Sequence, residues 1–198
     1  MTITQHVVST LGLGLLTALA LAATCAAQQG DPSLYVGVKM CGMCHKKEES
    51  GNQLAKWEAS PHAKAFEKLG SSEAKEVAKK LGIDDPQKSG KCLKCHSTAY
   101  HWTEQIATEK IRPEDGVTCE SCHGPGKNYM KRAVMEDRKL CIENGMVYPA
   151  TKSCVLCHNE QSPTWKPDRY TTKDGKKVGF DVEQAFKKIE HPDPLVKK

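Results

Sequence analysis

The sequence predicts a small, mainly α protein with little or no regular β structure, whose own side chains are too few to pack a self-supporting core. Three observations carry this. Cys-x-x-Cys-His occurs four times, at Cys41–His45, Cys92–His96, Cys119–His123 and Cys154–His158. The chain is lean in core-forming residues, with 38% hydrophobic, 6% aromatic and 27% charged residues in 198. The intervals between motifs carry helix caps and stops, while strand signals are confined to a short stretch around residues 170–178.

The motif spacing has a chemical cause. Two thiols three positions apart reach the two vinyl groups of one porphyrin, and the next residue supplies an imidazole to the iron. The attachment residues are therefore Cys41, Cys44, Cys92, Cys95, Cys119, Cys122, Cys154 and Cys157, and the proximal ligands are His45, His96, His123 and His158. Zinc ribbons and redox dithiols also use Cys-x-x-Cys, but neither has a reason to place His directly after every pair. With 8 His in the chain, four such placements by chance are on the order of one in a million. The implied cofactors are four covalently attached haems c. A porphyrin is a large apolar body, so the chain wraps cofactor in place of a self-supporting core, and without haem it is expected to be mostly unfolded.

Residues 1–27 read as an export signal, with an apolar run over 11–23 and a small-residue cleavage site ending at Ala27. The run is too short for a lasting membrane span. No Lys or Arg precedes it, and Cys25 offers lipidation as the alternative, with peripheral membrane association as its consequence. The mature chain is then periplasmic or extracellular, with residues 28–198 forming one domain. Cys141 stands outside the motifs and reads as a small buried side chain, not a disulfide partner. The formal charge of +5 is largely offset by haem propionates. The lysine pairs lack interleaved aromatics, so no nucleic-acid partner is implied.

Along the chain, residues 46–59 are rich in helix formers. Ser60 and Pro61 then start a short helix that runs to Leu69 and places His62 in its first turn. Ser72 caps a helix through Leu81 that Gly82 ends. Residues 127–139 read as helix after the Gly124-Pro125-Gly126 turn. Asp181 and Gln184 form a capping pattern for a helix with an apolar stripe of Val182, Ala185, Phe186 and Ile189. His191 closes that helix, and Pro192-Asp193-Pro194 reads as a frayed tail.

What occupies the second axial position of each iron separates a carrier from a catalyst. Apart from the motif histidines and His6 of the signal, His62, His101 and His191 remain. Three cannot serve four irons. The fourth is open, bound by a thioether such as Met130 or Met135, or bound by a His of a neighbouring molecule.

Around these residues the chain resembles the tetrahaem cytochrome c-554 family. The likeness lies in His62-Ala63-Lys64-Ala65, in residues 116–126 around the third motif with its Gly-Pro-Gly tail, and in the Phe180-Asp181 helix that leads to His191. The resemblance implies a mainly helical fold with haems in stacked pairs. It implies His62 opposite His123, His191 opposite His158, and a five-coordinate iron on His96. The family's distal His for the first haem has no counterpart in residues 127–134, where Ala133 stands between Met130 and Met135. His101 in turn is absent from the family pattern, and we favour it as an axial ligand of the first or second haem.

The expected function is electron shuttling between redox proteins, possible donors being a hydroxylamine-oxidoreductase-like enzyme or another cytochrome, with no substrate transformed. Two rivals belong to other classes. An open iron on His96, with Glu104 or His101 nearby for proton work, would make the protein an enzyme of small nitrogen oxides. A His lent between subunits would make it a self-associating, conducting filament.

Overall fold

Short helices joined by tight turns make up a computed structural model that describes residues 29–102 and 108–193. The helices are α1 (Val38–His45), α2 (Gln53–Glu58), α3 (Ala65–Leu69), α4 (Ser72–Lys80), α5 (Gly90–His96), α6 (Cys119–His123), α7 (Arg132–Met135), α8 (Arg138–Glu143), α9 (Cys154–Cys157) and α10 (Val182–Phe186). Strands β1 (Tyr170–Thr171) and β2 (Lys177–Val178) pair antiparallel, with Tyr170 opposite Val178. The fold is mainly α, as the sequence predicts, and the hairpin falls where the strand signals lie. The expected signal, Cys25 and Glu104 lie outside the described residues, and no described helix is long and apolar enough to cross a membrane.

Local chemistry explains most boundaries and corrects four expectations. Ser71, one residue before the expected cap, accepts the Ala74 N–H through its hydroxyl and starts α4. Helix α3 begins at Ala65, not Pro61, because the backbone over 61–64 turns tightly. There the His62 carbonyl accepts N–H groups from Ala65 and, across the fold, from Val117 at 3.0 Å. Residues 127–139 break into two helices, since Asp137 turns extended and its carboxylate caps α8 through the N–H groups of Lys139 and Leu140. Asp181 caps α10 through the Gln184 N–H at 2.9 Å, yet the helix stops at Phe186 and His191 lies beyond it.

The tail after His191 is also not frayed over its described part. Gln53 Nε2 donates to the Pro192 carbonyl at 3.0 Å, and Arg138 pairs with Asp193 at 2.8 Å while its guanidinium covers the Tyr148 ring.

Among the described residues, the buried apolar side chains are Tyr35, Leu69, Ala78, Leu93, Ala99, Ile111, Tyr129 and Cys141. Of these, Tyr35, Ala99 and Ile111 form one cluster, with Tyr100 against it. Such a core is too small to fix the motif helices alone, and buried polar links share the task. Thr98, fully buried, donates from Oγ1 to the Gly116 carbonyl at 2.9 Å and accepts from the Thr118 N–H at 2.8 Å and the Ser121 hydroxyl at 3.1 Å. Replacing Thr98 by Val keeps the shape and strands these groups. It should cost about 1–3 kcal/mol, read as a lower urea midpoint of the haem-loaded protein.

Candidate functional site

Each Cys-x-x-Cys-His motif sits at the end of a short helix. Helices α1, α5 and α6 end on His45, His96 and His123, and His158 directly follows α9. On a helix, residues three apart share a face, so the two thiols of a motif project to one side and the imidazole follows within the same turn. None of the eight motif cysteines is in a disulfide.

Tertiary packing brings the motifs together out of chain order. The first lies against the third: α1 packs on α6, and Cys41 and Cys119 act on one another electrostatically. The third meets the fourth, where the Ser153 hydroxyl donates to the Cys122 carbonyl at 3.1 Å just before α9. The fourth meets the second, with α9 on α5 and the Cys157 thiol donating to the Lys94 carbonyl at 3.8 Å. The spatial order is therefore first, third, fourth, second.

The histidines follow the same grouping. His62 and His158 have ring centroids 6.1 Å apart, and His123 and His191 5.9 Å apart. Two imidazoles on opposite faces of one iron, each about 2 Å from it, have centroids about 6 Å apart. The rings that lie close are therefore His62 with His158 and His123 with His191, whereas the family resemblance implied His62 opposite His123 and His191 opposite His158. The reason lies in the folding of the loops. The turn that carries His62 is pinned by residues 116–117, and the tail after His191 is held by Gln53, which also meets His45 of the first motif, and by Arg138. Gly116 makes the first docking possible. It has a φ of +70°, and a Cβ there would stand 2.7 Å from the His62 carbonyl oxygen.

Burial and protonation suit ligation. Burial, with His191 and His45 nearby, pushes the His123 pKa down to about 4. Burial also lowers those of His62 and His158, the latter helped by His62. These rings are held neutral, the state in which a nitrogen lone pair faces a metal. The Nδ1 atoms of two proximal rings are already engaged. His96 Nδ1 lies 2.7 Å from the Ala65 carbonyl and His45 Nδ1 3.2 Å from Gln53 Oε1, which leaves each Nε2 free as the ligand. The residues present thus fit covalently bound haem in sulfur placement, ring spacing and tautomer.

Gln53 and the Ala65 carbonyl are positioning groups that the sequence reading missed. A polar residue eight positions after His45 carries no local signal, and a backbone carbonyl carries none at all. Gln53 is buried and also donates to the Ser50 carbonyl, so it ties His45 to the segment that bears His191.

His101 is exposed, with its ring edge-on to Trp102 at 5.0 Å, and it senses Lys94 of the second motif. Arg132, between Met130 and Met135, senses Cys44 of the first motif. Cys141 is buried, 1% exposed, and donates to the Val134 carbonyl, as its reading predicts.

Comparison with known proteins bears on the same motifs. The family model described as cytochrome c554 and c-prime matches residues 40–124, which include the first three motifs and His62. Cytochrome c-554 of Nitrosomonas europaea is 28% identical over 176 residues, covering 78% of this chain and 73% of that protein. No solved structure matches the chain. The motifs, their packing and both matches together support a c-type cytochrome that carries electrons, similar to the cytochrome c554 family.

Proposed function

We propose that residues 28–198 form a single tetrahaem domain, exported after removal of residues 1–27, that shuttles electrons between redox proteins in the periplasm or outside the cell. The observation that carries this reading is the contact of all four motifs in one continuous order, with α1 on α6, Ser153 on Cys122 and α9 on α5. Bound haem supplies a one-electron ferric/ferrous couple. The cysteines of each motif hold it covalently, and His45, His96, His123 and His158 bind from the proximal side. His191 completes the site of His123, and His62 completes that of His158. His101 is the favoured ligand for a further axial position, on the first or second site, with a thioether of Met130 or Met135 as the alternative. Partners are proposed to be a hydroxylamine-oxidoreductase-like donor or another cytochrome, since such transient encounters need only a small contact surface.

The test is the mass of the exported, purified protein, which should exceed that of the polypeptide from residue 28 by four porphyrin increments. Any other number overturns the reading. A high-spin ferric signal that disappears on adding nitric oxide would instead support chemistry at an open iron.

Gln53 gives a second expected result. Gln53→Leu removes the acceptor on His45 Nδ1 and so lowers the basicity of that imidazole. One of the four reduction potentials should rise, as read by potentiometric titration, with haem content unchanged.

A further inference from the structure

Glu120 lies inside the third motif, 3% exposed, and is the one carboxylate among the buried polar side chains of the described residues. Three backbone amides hold it. Oε1 accepts from Val36 N–H at 2.9 Å and Gly126 N–H at 2.7 Å, and Oε2 accepts from Gly37 N–H at 2.8 Å. A set made only of donors suits an ionised carboxylate, which only accepts. Burial pushes its pKa up against the pull of the three amides, and Lys110 is the cation that favours its charge. The Cys41 and Cys119 thiols, which meet where the first and third motifs touch, both sense this carboxylate, as does the buried Tyr129.

Fastening the loops alone does not account for a buried carboxylate here. Taking a charge out of water is costly, and apolar packing or a neutral amide could join segments at lower cost. In a poorly screened interior such a charge acts strongly on any charge that changes beside it.

We propose that Glu120 is a fixed negative charge that lowers the reduction potentials of both haems attached at the first and third motifs, making this pair easier to oxidise than it would be beside a neutral residue. This rests on the four-haem reading above. Each reduction adds one electron to iron and no proton to Glu120, so the carboxylate opposes electron arrival at both sites.

The test is Glu120→Gln in the haem-loaded protein, with haem content checked by mass before potentiometric titration. Two of the four potentials should rise, each by about a tenfold change in the electron equilibrium, which is 59 mV for one electron, and the other two should stay. Glu120→Asp, which keeps the charge, should leave all four close to native. Unmoved potentials at intact haem content, or equal shifts in the Gln and Asp variants, overturn the inference. A native protein with other than four haems overturns the four-haem reading instead. If the Gln variant does not load haem, the redox-difference infrared spectrum of the native protein decides. A carboxylate band that shifts on reduction supports the inference, and a protonated carboxyl band overturns it.

Discussion

Chain that has not acquired haem is expected to show no cooperative unfolding transition and little helical circular dichroism. The clean way to produce it is to change the eight motif cysteines to serine, which removes every attachment bond and leaves the caps and turns intact. The described helices run from four to nine residues, below the roughly 12–15 at which even good helix formers are marginal alone. Burying a large apolar side chain stabilises by about 1.5–3 kcal/mol, whereas ordering each backbone residue costs about 1–2 kcal/mol. Eight buried apolar side chains cannot offset the ordering of a chain this long. A cooperative melt of the serine variant, at any temperature, would show that the polypeptide holds itself together and that haem is a passenger.

The second large effect concerns the distal histidines. His191→Ala should convert the iron on His123 from low to high spin, and His62→Ala should do the same to the iron on His158. Each variant should retain all four haems, because the thioether bonds and proximal ligands are untouched. Electron paramagnetic resonance counts the change, and paramagnetic NMR of haem methyl groups assigns it to a motif. The ring spacings of 5.9 and 6.1 Å make the assignment specific. If His62→Ala altered the iron on His123, the pairing implied by family likeness would stand and the one drawn from these distances would fall. If neither variant changed any spin state, neither histidine would be a ligand.

Much of the site could be read in the chain because the chemistry is local. Covalent attachment needs two thiols and an imidazole within five residues, so the four motifs are visible without any fold. Caps at Asp181 and the hairpin at 170–178 were legible for the same reason, since a side chain bonding to an amide two or three residues away depends only on the neighbouring sequence. Where expectation failed, a distant partner had intervened. The helix expected from Pro61 gives way to a turn because Val117 bonds to the His62 carbonyl. The tail expected to fray is held by Gln53 and Arg138, which lie 139 and 55 positions from their partners.

From its residues alone the chain determined its four Cys-x-x-Cys-His motifs and its lean apolar composition, because each of these lies in composition or in groups within one helical turn. Tertiary structure alone decided the spatial order of the motifs, the partners of His62 and His191, and the burial of Glu120 between the first and third motifs. Those depend on which loops dock together, and docking is set by hydrogen bonds and close approaches between segments up to 139 residues apart, a separation over which sequence pattern carries no register.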